Sequence, residues 1–256
     1  MDLRSRIGCR YLTVDAKADV VRWYEGQEFK VNEEDRTAQL THSWEANAVA
    51  WTEAVRGGAI ASRRLGTDAA IVHAILERRP RRVLDLGCGE GWLVRALTGH
   101  GIEITGIDAS AALVERARAA GGGTFHVCSY AALSTESLSR GGSYDVIACN
   151  FALLEEDISP TLETLRARLA PDGALVIQTV HPWTARGDAP YRNGWRTETF
   201  TAFGPGFTDV MPWYFRTVES WVDILRQSGY LITSLREPVH PETGEPLSLL
   251  LEATIP

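Results

Sequence analysis

The sequence lacks the features that mark membrane, secreted and nucleic-acid-binding proteins. Among its 256 residues, no apolar run approaches the roughly 18 residues that a bilayer-spanning helix needs. The N-terminal stretch has no apolar core of the kind found in signal peptides. Basic charge is not in excess, because the formal net charge is -7, whereas contacts to phosphates require a basic face. We therefore expect a cytoplasmic protein with neither a membrane nor a nucleic-acid partner.

Cysteine is also sparse. The four cysteines, Cys9, Cys88, Cys128 and Cys149, show no paired spacing that would indicate a zinc site. Three of them fall at or beside predicted strand ends, where a small apolar side chain packs well, so we expect buried free thiols and no metal. The sequence has no repeat or low-complexity tract, and its length suits one large α/β domain better than two.

What the sequence does contain is a glycine-rich turn between a predicted strand and a predicted helix. Residues 82–92 read RVLDLGCGEGW, and apolar residues then recur at helical spacing. The glycines at 87, 89 and 91 permit positive φ values and allow backbone N–H groups to approach a ligand closely. Asp85 adds a carboxylate, which would repel a phosphate and favour a bound cation or amino group.

A dinucleotide site would require the pattern Gly-x-Gly-x-x-Gly, in which the third glycine allows the helix to pack closely on the strand. Aligning Gly87 and Gly89 with that pattern places Trp92 in the third position, and an indole cannot fill that role. The turn instead resembles the first motif of class I S-adenosylmethionine (SAM)-dependent methyltransferases. This resemblance implies that the methionine end of SAM is held by Asp85, Gly87, Cys88 (through its backbone), Gly89, Gly91 and Trp92.

A second acidic residue follows at the end of the next predicted strand. This strand covers residues 103–108, and Asp108 lies 17 residues after Gly91, close to the spacing at which nucleotide-binding folds present a carboxylate to ribose hydroxyls. A carboxylate can accept both hydrogen bonds of a cis-diol. We therefore expect Asp108, with the adjacent Ala109, to bind the ribose of SAM. Ser110 is expected to cap the helix that continues to about Ala120.

Residues 124–130 predict a third strand followed by a turn at the same edge of the sheet. Similar proteins often place a polar residue here to bind the adenine amino group. The resemblance therefore implies a contact from Ser129 or from the backbone at Tyr130. His126 lies between apolar residues on this strand, so we expect it to be packed in the core.

The fourth predicted strand, residues 143–151, resembles the fourth motif of the same superfamily. Asn150 and Phe151 fall at its carboxyl end, the edge along which open α/β sheets bind ligands. The Asn150 side chain is a candidate for holding either the SAM amino group or the acceptor. Phe151 is a candidate for the wall of the methyl-transfer channel.

The N-terminal part of the chain predicts helices. Apolar residues repeat every three or four positions from 38 to 56, and Thr67 is placed to cap a further helix that Pro80 ends. Tryptophans on such a helix face commonly pack in the core. The alternative is a lid helix whose Trp51 or Asn47, or the nearby Arg63, lines the SAM pocket, as in many similar proteins. Residues 1–36 are expected to be irregular or to form a short helix.

A buried fifth strand, residues 174–181, leads into an insertion rich in aromatic residues (182–216). This insertion is either a satellite hydrophobic cluster over the sheet edge or the wall of an acceptor pocket. His181 is a candidate general base because an imidazole titrates near neutrality, although a structural role is an equal alternative. The candidate catalytic residues are therefore His181, Asn150 and Tyr191.

The resemblance implies an α/β fold with a doubly wound, mostly parallel sheet of seven strands in the order 3-2-1-4-5-7-6, with strand 7 antiparallel. An N-terminal segment with a helical lid (1–79) would precede the SAM-binding Rossmann-like domain (80–256). The implied function is transfer of the SAM methyl group to a small-molecule acceptor, with S-adenosylhomocysteine as the second product.

Two alternatives remain open, because a fold does not determine a function. In the first, the protein uses SAM itself as substrate, closing a small ring such as azetidine-2-carboxylate and releasing methylthioadenosine. It is also compatible with a non-catalytic SAM-binding regulator. The sequence gives no indication of the oligomeric state.

Overall fold

A computed structural model describes residues 33–134 and 142–256. Most of its strands are short apolar runs of the kind that are buried between helices. In chain order they are β1 (Arg82–Leu86), β2 (Glu103–Asp108), β3 (Thr124–Val127), β4 (Tyr144–Asn150), β5 (Leu169–Val180), β6 (Gly194–Glu198), β7 (Met211–Phe215), β8 (Leu231–Arg236) and β9 (Ser248–Thr254).

Seven of these strands form the central sheet, in the order β3-β2-β1-β4-β5-β9-β8. The first five pair in parallel, whereas β9 is antiparallel to both β5 and β8. Counting only the strands of this sheet, β8 is the sixth and β9 the seventh. The predicted order and the antiparallel seventh strand are therefore confirmed.

Helices lie on both faces of the sheet. The helices of the described residues are α1 (Glu33–Ala46), α2 (Ala48–Arg56), α3 (Asp68–Glu77), α4 (Trp92–Leu97), α5 (Ala111–Ala120), α6 (Ser159–Arg166), α7 (Pro182–Ala185) and α8 (Val218–Gln227), with a π-helical turn over Arg63–Thr67 and a 3-10 turn over Tyr130–Ser134. One face packs against α3, α4 and α5, and the opposite face against α6 and α8. Side chains alternate between these faces along each strand, so Val83 and Leu84 belong to different core clusters.

Several local predictions can be compared with this architecture. Ser110 caps α5 as expected, since its side-chain oxygen accepts a hydrogen bond from the Leu113 N–H. Thr67 precedes α3 but makes no side-chain cap, because its own backbone is already helical. The single helix expected over 38–56 is two helices that meet at Asn47.

The aromatic insertion is more ordered than its sequence indicates. It contains the short helix α7 and the strands β6 and β7, which pair with each other in a separate antiparallel sheet. Its edge-to-face and stacked rings, including the Phe200–Phe207 pair at 4.7 Å between centroids, form a hydrophobic cluster. Phe200 has a positive φ of 59°, an uncommon backbone conformation for a bulky residue.

Contacts within the chain define two units, residues 1–39 and residues 40–256. In the first unit only the start of α1, from Glu33, belongs to the described part, so most of the prediction for residues 1–36 lies outside it. Among the described residues, no helix combines the length and the apolar character needed to cross a membrane. Cys88, Cys128 and Cys149 are buried free thiols, as predicted.

Candidate functional site

The glycine turn between β1 and α4 adopts a conformation that other residues rarely take. Gly87, Gly89 and Gly91 all have positive φ, at 72°, 53° and 82°. A Cβ atom on Gly87 would lie 2.5 Å from the Cβ of Ala152, and one on Gly91 would lie 2.9 Å from the Phe125 ring. The turn therefore requires glycine for its backbone angles and for the space around it.

The backbone N–H groups of this turn are bonded within the protein. Gly87 and Cys88 both donate to the carbonyl oxygen of Ile107, Gly91 donates to Cys88, and Gly89 donates to an Asp108 carboxylate oxygen at 2.9 Å. The expectation that these N–H groups would face a ligand was wrong for these residues. Bonds to β2 and within the turn therefore occupy these four N–H groups, and the carboxylates of Asp85 and Asp108 are among the groups that can meet a ligand.

Asp85 is the buried carboxylate of this region. Its residue is only 2% exposed, and its Oδ2 atom has no hydrogen-bond partner in the described part of the chain. Burial, and secondarily the charge of Asp108, raises the pKa of Asp85 to about 7. A buried acceptor of this kind is costly unless a donor or a positive charge reaches it. The arrangement fits a bound ammonium group.

Asp108 lies at the carboxyl end of β2 and organises the adjacent backbone. Its Oδ1 accepts a hydrogen bond from the Ser110 N–H and its Oδ2 accepts one from the Gly89 N–H, both at 2.9 Å. Burial raises the pKa of Asp108, although these hydrogen bonds oppose the shift. Each carboxylate oxygen retains acceptor capacity for a ligand. The predicted contact of Asp108 and Ala109 with ribose stays a prediction.

Asn150 and Phe151 occupy the end of β4 beside the glycine turn. The register pairs Cys149 with Leu86, so Asn150 is level with Gly87. Its Oδ1 accepts a 2.9 Å hydrogen bond from Gln178 on β5. Phe151 has a positive φ of 54° and donates its N–H to the Gln178 carbonyl oxygen, so the chain turns sharply as it leaves the sheet.

Two site residues follow β3: the Tyr130 side chain is hydrogen-bonded within the protein, and Ser129 is exposed. The Tyr130 hydroxyl donates to the Ala152 carbonyl oxygen at 2.6 Å, and the hydroxyl oxygen itself lies 3.3 Å from the position of a Cβ on Gly87. Ser129 is exposed, which leaves it accessible for the predicted adenine contact. His126 is exposed as well, so its predicted place in the core was wrong. It lies on an edge strand in which only Phe125 is buried.

Polar contacts join α1 and α2 to the same region. Glu45 accepts from the Ser110 hydroxyl at 2.5 Å and from the Ala112 N–H, directly after the Asp108 turn. Glu90, inside the glycine turn, is fully buried and pairs with Arg56 of α2 at 2.6 Å. Neither glutamate was identified from the sequence, although an acidic residue inside a glycine turn was a visible signal for Glu90.

Trp51 and Arg63 lie close to the glycine turn, whereas Asn47 does not serve it. The indole Nε1 of Trp51 is 3.7 Å from the position of a Cβ on Gly89. The Arg63 guanidinium stacks over the Trp92 ring at 4.3 Å and pairs with Asp68 at 2.9 Å.

Asn47 is completely buried, and its carboxamide forms hydrogen bonds with the backbone of the insertion. It donates to the Asp209 carbonyl oxygen at 2.7 Å and accepts from the Thr208 N–H at 2.8 Å. The sequence alternative in which Asn47 lines the pocket was therefore wrong. Its hydrogen bonds instead join the α1–α2 junction to the aromatic insertion.

His181 follows β5 at the carboxyl edge and is 4% exposed. Its Nε2 lies 2.8 Å from a carboxylate oxygen of Glu237, and its Nδ1 is buried without a partner in the described part of the chain. Glu237 follows β8 and was not identified from the sequence. Tyr191 is 40% exposed, and its hydroxyl accepts from the Val218 N–H at the start of α8.

The comparison with protein families matches this architecture to a known group. The family described as "Methyltransferase domain" matches residues 61–235, which include the glycine turn, the ends of β2 and β4, and the insertion. The chain belongs to this methyltransferase family. The match begins before the π-helical turn and therefore includes Arg63 and strands β1 to β7, whereas β9 lies beyond its end.

Individual relatives share a third or less of their aligned residues with this chain. A ubiquinone biosynthesis O-methyltransferase of Xanthomonas oryzae is 33% identical over 114 residues, which cover 43% of this chain and 47% of the relative. An S-adenosylmethionine-dependent methyltransferase of Mesorhizobium loti is 27% identical, with a TM-score of 0.54 over 70% of this chain and 95% of that one. The chain thus spans about half the length of the curated relatives it matches.

A third comparison extends over more of the fold. The 1,6-didemethyltoxoflavin-N1-methyltransferase of Burkholderia thailandensis, solved with 1,6-didemethyltoxoflavin and S-adenosylhomocysteine, has a TM-score of 0.62 at 20% identity. The likeness covers 88% of this chain and 91% of that one. At this identity the likeness establishes the fold alone.

Proposed function

We propose that this protein binds SAM at the carboxyl edge of β1, β2 and β4 and transfers its methyl group to a small-molecule acceptor. The observation that carries the proposal is the unpartnered, buried Asp85 oxygen beside a turn of three glycines with positive φ. A carboxylate in that position suits an ammonium group and disfavours a phosphate, which separates this site from a dinucleotide site. The Mesorhizobium loti relative is named as SAM-dependent, in agreement with this assignment.

The proposed SAM contacts follow from the positions of the residues. Asp85 takes the methionine amino group, and Asp108, with Ala109 beside it, takes the ribose hydroxyls. Ser129 and Tyr130 lie at the end of β3, next to β2, where the adenine would follow the ribose. The methionine end would be enclosed by Trp51, Trp92 and Arg63. Cation–π attraction between an indole ring and the sulfonium would contribute roughly 0.5–2 kcal/mol.

The acceptor is proposed to bind between Phe151 and the aromatic insertion. When bound, SAM supplies a methyl group on a positively charged sulfur, which the acceptor atom attacks while the carbon–sulfur electron pair returns to sulfur. The protein's contribution is orientation of the acceptor in a site closed to water. For a hydroxyl or amine acceptor, Nδ1 of His181 would take the released proton, with Glu237 at Nε2. Tyr191 would contribute to the wall of this acceptor site.

The first experiment incubates the purified protein with SAM alone and identifies the small-molecule products by mass spectrometry. Methylthioadenosine together with a four-carbon amino acid would overturn methyl transfer in favour of ring closure within SAM. Intact SAM, followed by S-adenosylhomocysteine release with a member of an acceptor panel, is the expected result. Tight SAM binding with no release for any acceptor would instead indicate a regulator.

Asp108→Ala should weaken SAM binding by at least about 30-fold, because a lost hydrogen bond to a charged group costs about 1.5–3 kcal/mol and two would be lost to ribose. The variant also frees the Gly89 N–H that Asp108 holds. Calorimetric titration with SAM measures the effect. Asp172→Ala, at an exposed position near the start of β5, is the matched control. Unchanged affinity in Asp108→Ala would remove the ribose assignment.

A further inference from the structure

A chain of carboxamides connects the ends of β4 and β5 to the turn before α3. Gln178 is completely buried, and its Nε2 donates to the Thr67 carbonyl oxygen and to Asn150 Oδ1, both at 2.9 Å. The Ser248 hydroxyl lies 3.4 Å from Gln178 Oε1, on the acceptor side of the amide. Each bond thus has a donor facing an acceptor.

The chemistry of these partners fixes which way each amide points. A backbone carbonyl can only accept, so the NH2 group of Gln178 must face Thr67. The second hydrogen of the same NH2 group then points at Asn150, which must present its oxygen. Turning the Asn150 amide over would place two NH2 groups against each other. The Asn150 NH2 group is therefore directed away from Gln178.

That NH2 group is free to meet a ligand. Asn150 is half-buried, and within residues 33–134 and 142–256 its side chain makes one hydrogen bond, the one that Oδ1 accepts from Gln178. The side chain follows Val146 and Ala148 along one face of β4, and Asp85 follows Val83 on the same face of β1. One face of the sheet edge thus carries an anionic acceptor, Asp85, and a neutral donor, Asn150.

An α-amino acid group carries an ammonium and a carboxylate, which need an acceptor and a donor respectively. We infer that Gln178 is a positioning residue that fixes Asn150 as a hydrogen-bond donor to the carboxylate of the methionine end of SAM. This inference rests on the proposed SAM site, and it differs from both roles considered from the sequence, in which Asn150 holds the SAM amino group or the acceptor.

The sign of the effect of Asn150→Asp tests the assignment. Aspartate has the same shape and still accepts from Gln178, but it presents an anion instead of an NH2 group. We expect S-adenosylhomocysteine to bind about 10- to 100-fold more weakly, because a charge-assisted donor is lost and two anions face each other. Methylthioadenosine, which lacks the amino-acid end, should bind within about 2-fold of wild type. Both affinities are measured by calorimetry.

Gln178→Glu tests the positioning step. Glutamate retains the size of the side chain but donates to neither Thr67 nor Asn150, so the Asn150 amide loses its fixed orientation. S-adenosylhomocysteine affinity should fall about 10-fold with methylthioadenosine affinity retained, whereas the exposed control Gln227→Glu should change neither. If Gln178→Glu does not fold, Asn150→Asp alone decides, because its side chain is only half-buried.

The outcomes separate this inference from the function on which it rests. If the wild-type protein binds neither S-adenosylhomocysteine nor methylthioadenosine, the proposed SAM site fails. If it binds both, and Asn150→Asp retains or strengthens S-adenosylhomocysteine binding, the donor role of Asn150 is overturned while the SAM site stands. An equal loss for both ligands would also overturn it, since that result indicates a general disturbance of the site.

Discussion

Asp85→Asn should weaken S-adenosylhomocysteine binding by about 100-fold at pH 8 and should, in the same protein, raise the stability of the unliganded state. The binding loss follows from replacing the carboxylate that faces the ligand ammonium with a neutral amide. Removing one partner of a buried charge pair commonly costs about 2–5 kcal/mol of binding free energy. Asparagine matches aspartate in size, so the packing around this 2% exposed residue is retained. Calorimetry measures the affinity.

The stability gain has a definite pH dependence. The pKa of Asp85 is about 7 in the folded protein, above its ordinary value of 3.8, so the folded state holds this proton more tightly than the unfolded chain. Ionisation therefore costs the folded state stability progressively as the pH rises from about 4 to about 7, by up to about 4 kcal/mol. Asparagine does not ionise, so the variant avoids this loss.

Denaturant unfolding at pH 5 and pH 8 checks the prediction. The stability advantage of Asp85→Asn over wild type should be larger at pH 8, because most of the ionisation cost lies between these values. Asp172→Asn removes the same charge at an exposed position and should show no such difference. An Asp85→Asn protein that is less stable than wild type at pH 8 would mean that the carboxylate is satisfied within the protein.

The sheet and the glycine turn could be predicted because their causes are local. Buried parallel strands such as β1 and β4 are short apolar runs, and only glycine accepts the φ values seen at Gly87 and Gly91 without strain. The positions of Asp85 and Asp108 near the carboxyl ends of β1 and β2 could be predicted because the carboxyl ends of adjacent parallel strands meet at one edge of the sheet. These features need no knowledge of distant parts of the chain.

The partners of the site residues could not be predicted, because they come from remote segments. Gln178 meets Thr67 across 111 positions, and Glu45 meets Ser110 across 65. Their types alone gave no signal, since glutamine and glutamate are common on exposed helices and strands. His126 illustrates the opposite error, because apolar neighbours in sequence do not bury a residue on an edge strand.

The insertion shows a further limit. Its aromatic residues indicated a hydrophobic cluster, but their spacing has no regular period, so strands β6 and β7 were not expected. The segment before β7 shows one remote contribution, because the 208–209 backbone is held by the Asn47 side chain at the α1–α2 junction. Structure that depends on contacts with remote residues produces no periodic pattern in the sequence of the insertion itself.

His181→Gln should reduce kcat by about 10²- to 10⁴-fold for a hydroxyl or amine acceptor, because that is the usual contribution of a positioned general base. Glutamine retains hydrogen-bonding groups near Glu237 but cannot take up a proton. S-adenosylhomocysteine affinity should stay within about 2-fold of wild type, since the proposed SAM contacts lie on other strands. Steady-state S-adenosylhomocysteine release, with the acceptor found by screening, gives kcat.

Two further variants distinguish a base from a packing residue. His100→Gln, at an exposed position after α4, should retain full kcat and controls for loss of an imidazole as such. Glu237→Gln removes the negative charge at Nε2 while leaving Nδ1 in place, so it should lower kcat with little change in the KM for the acceptor. A His181→Gln enzyme with wild-type kcat across the pH range would assign His181 to the structure of the β5 end. Methyl transfer would then depend on orientation of the acceptor alone, and the Glu237 contact would serve only to hold the loop that follows β8.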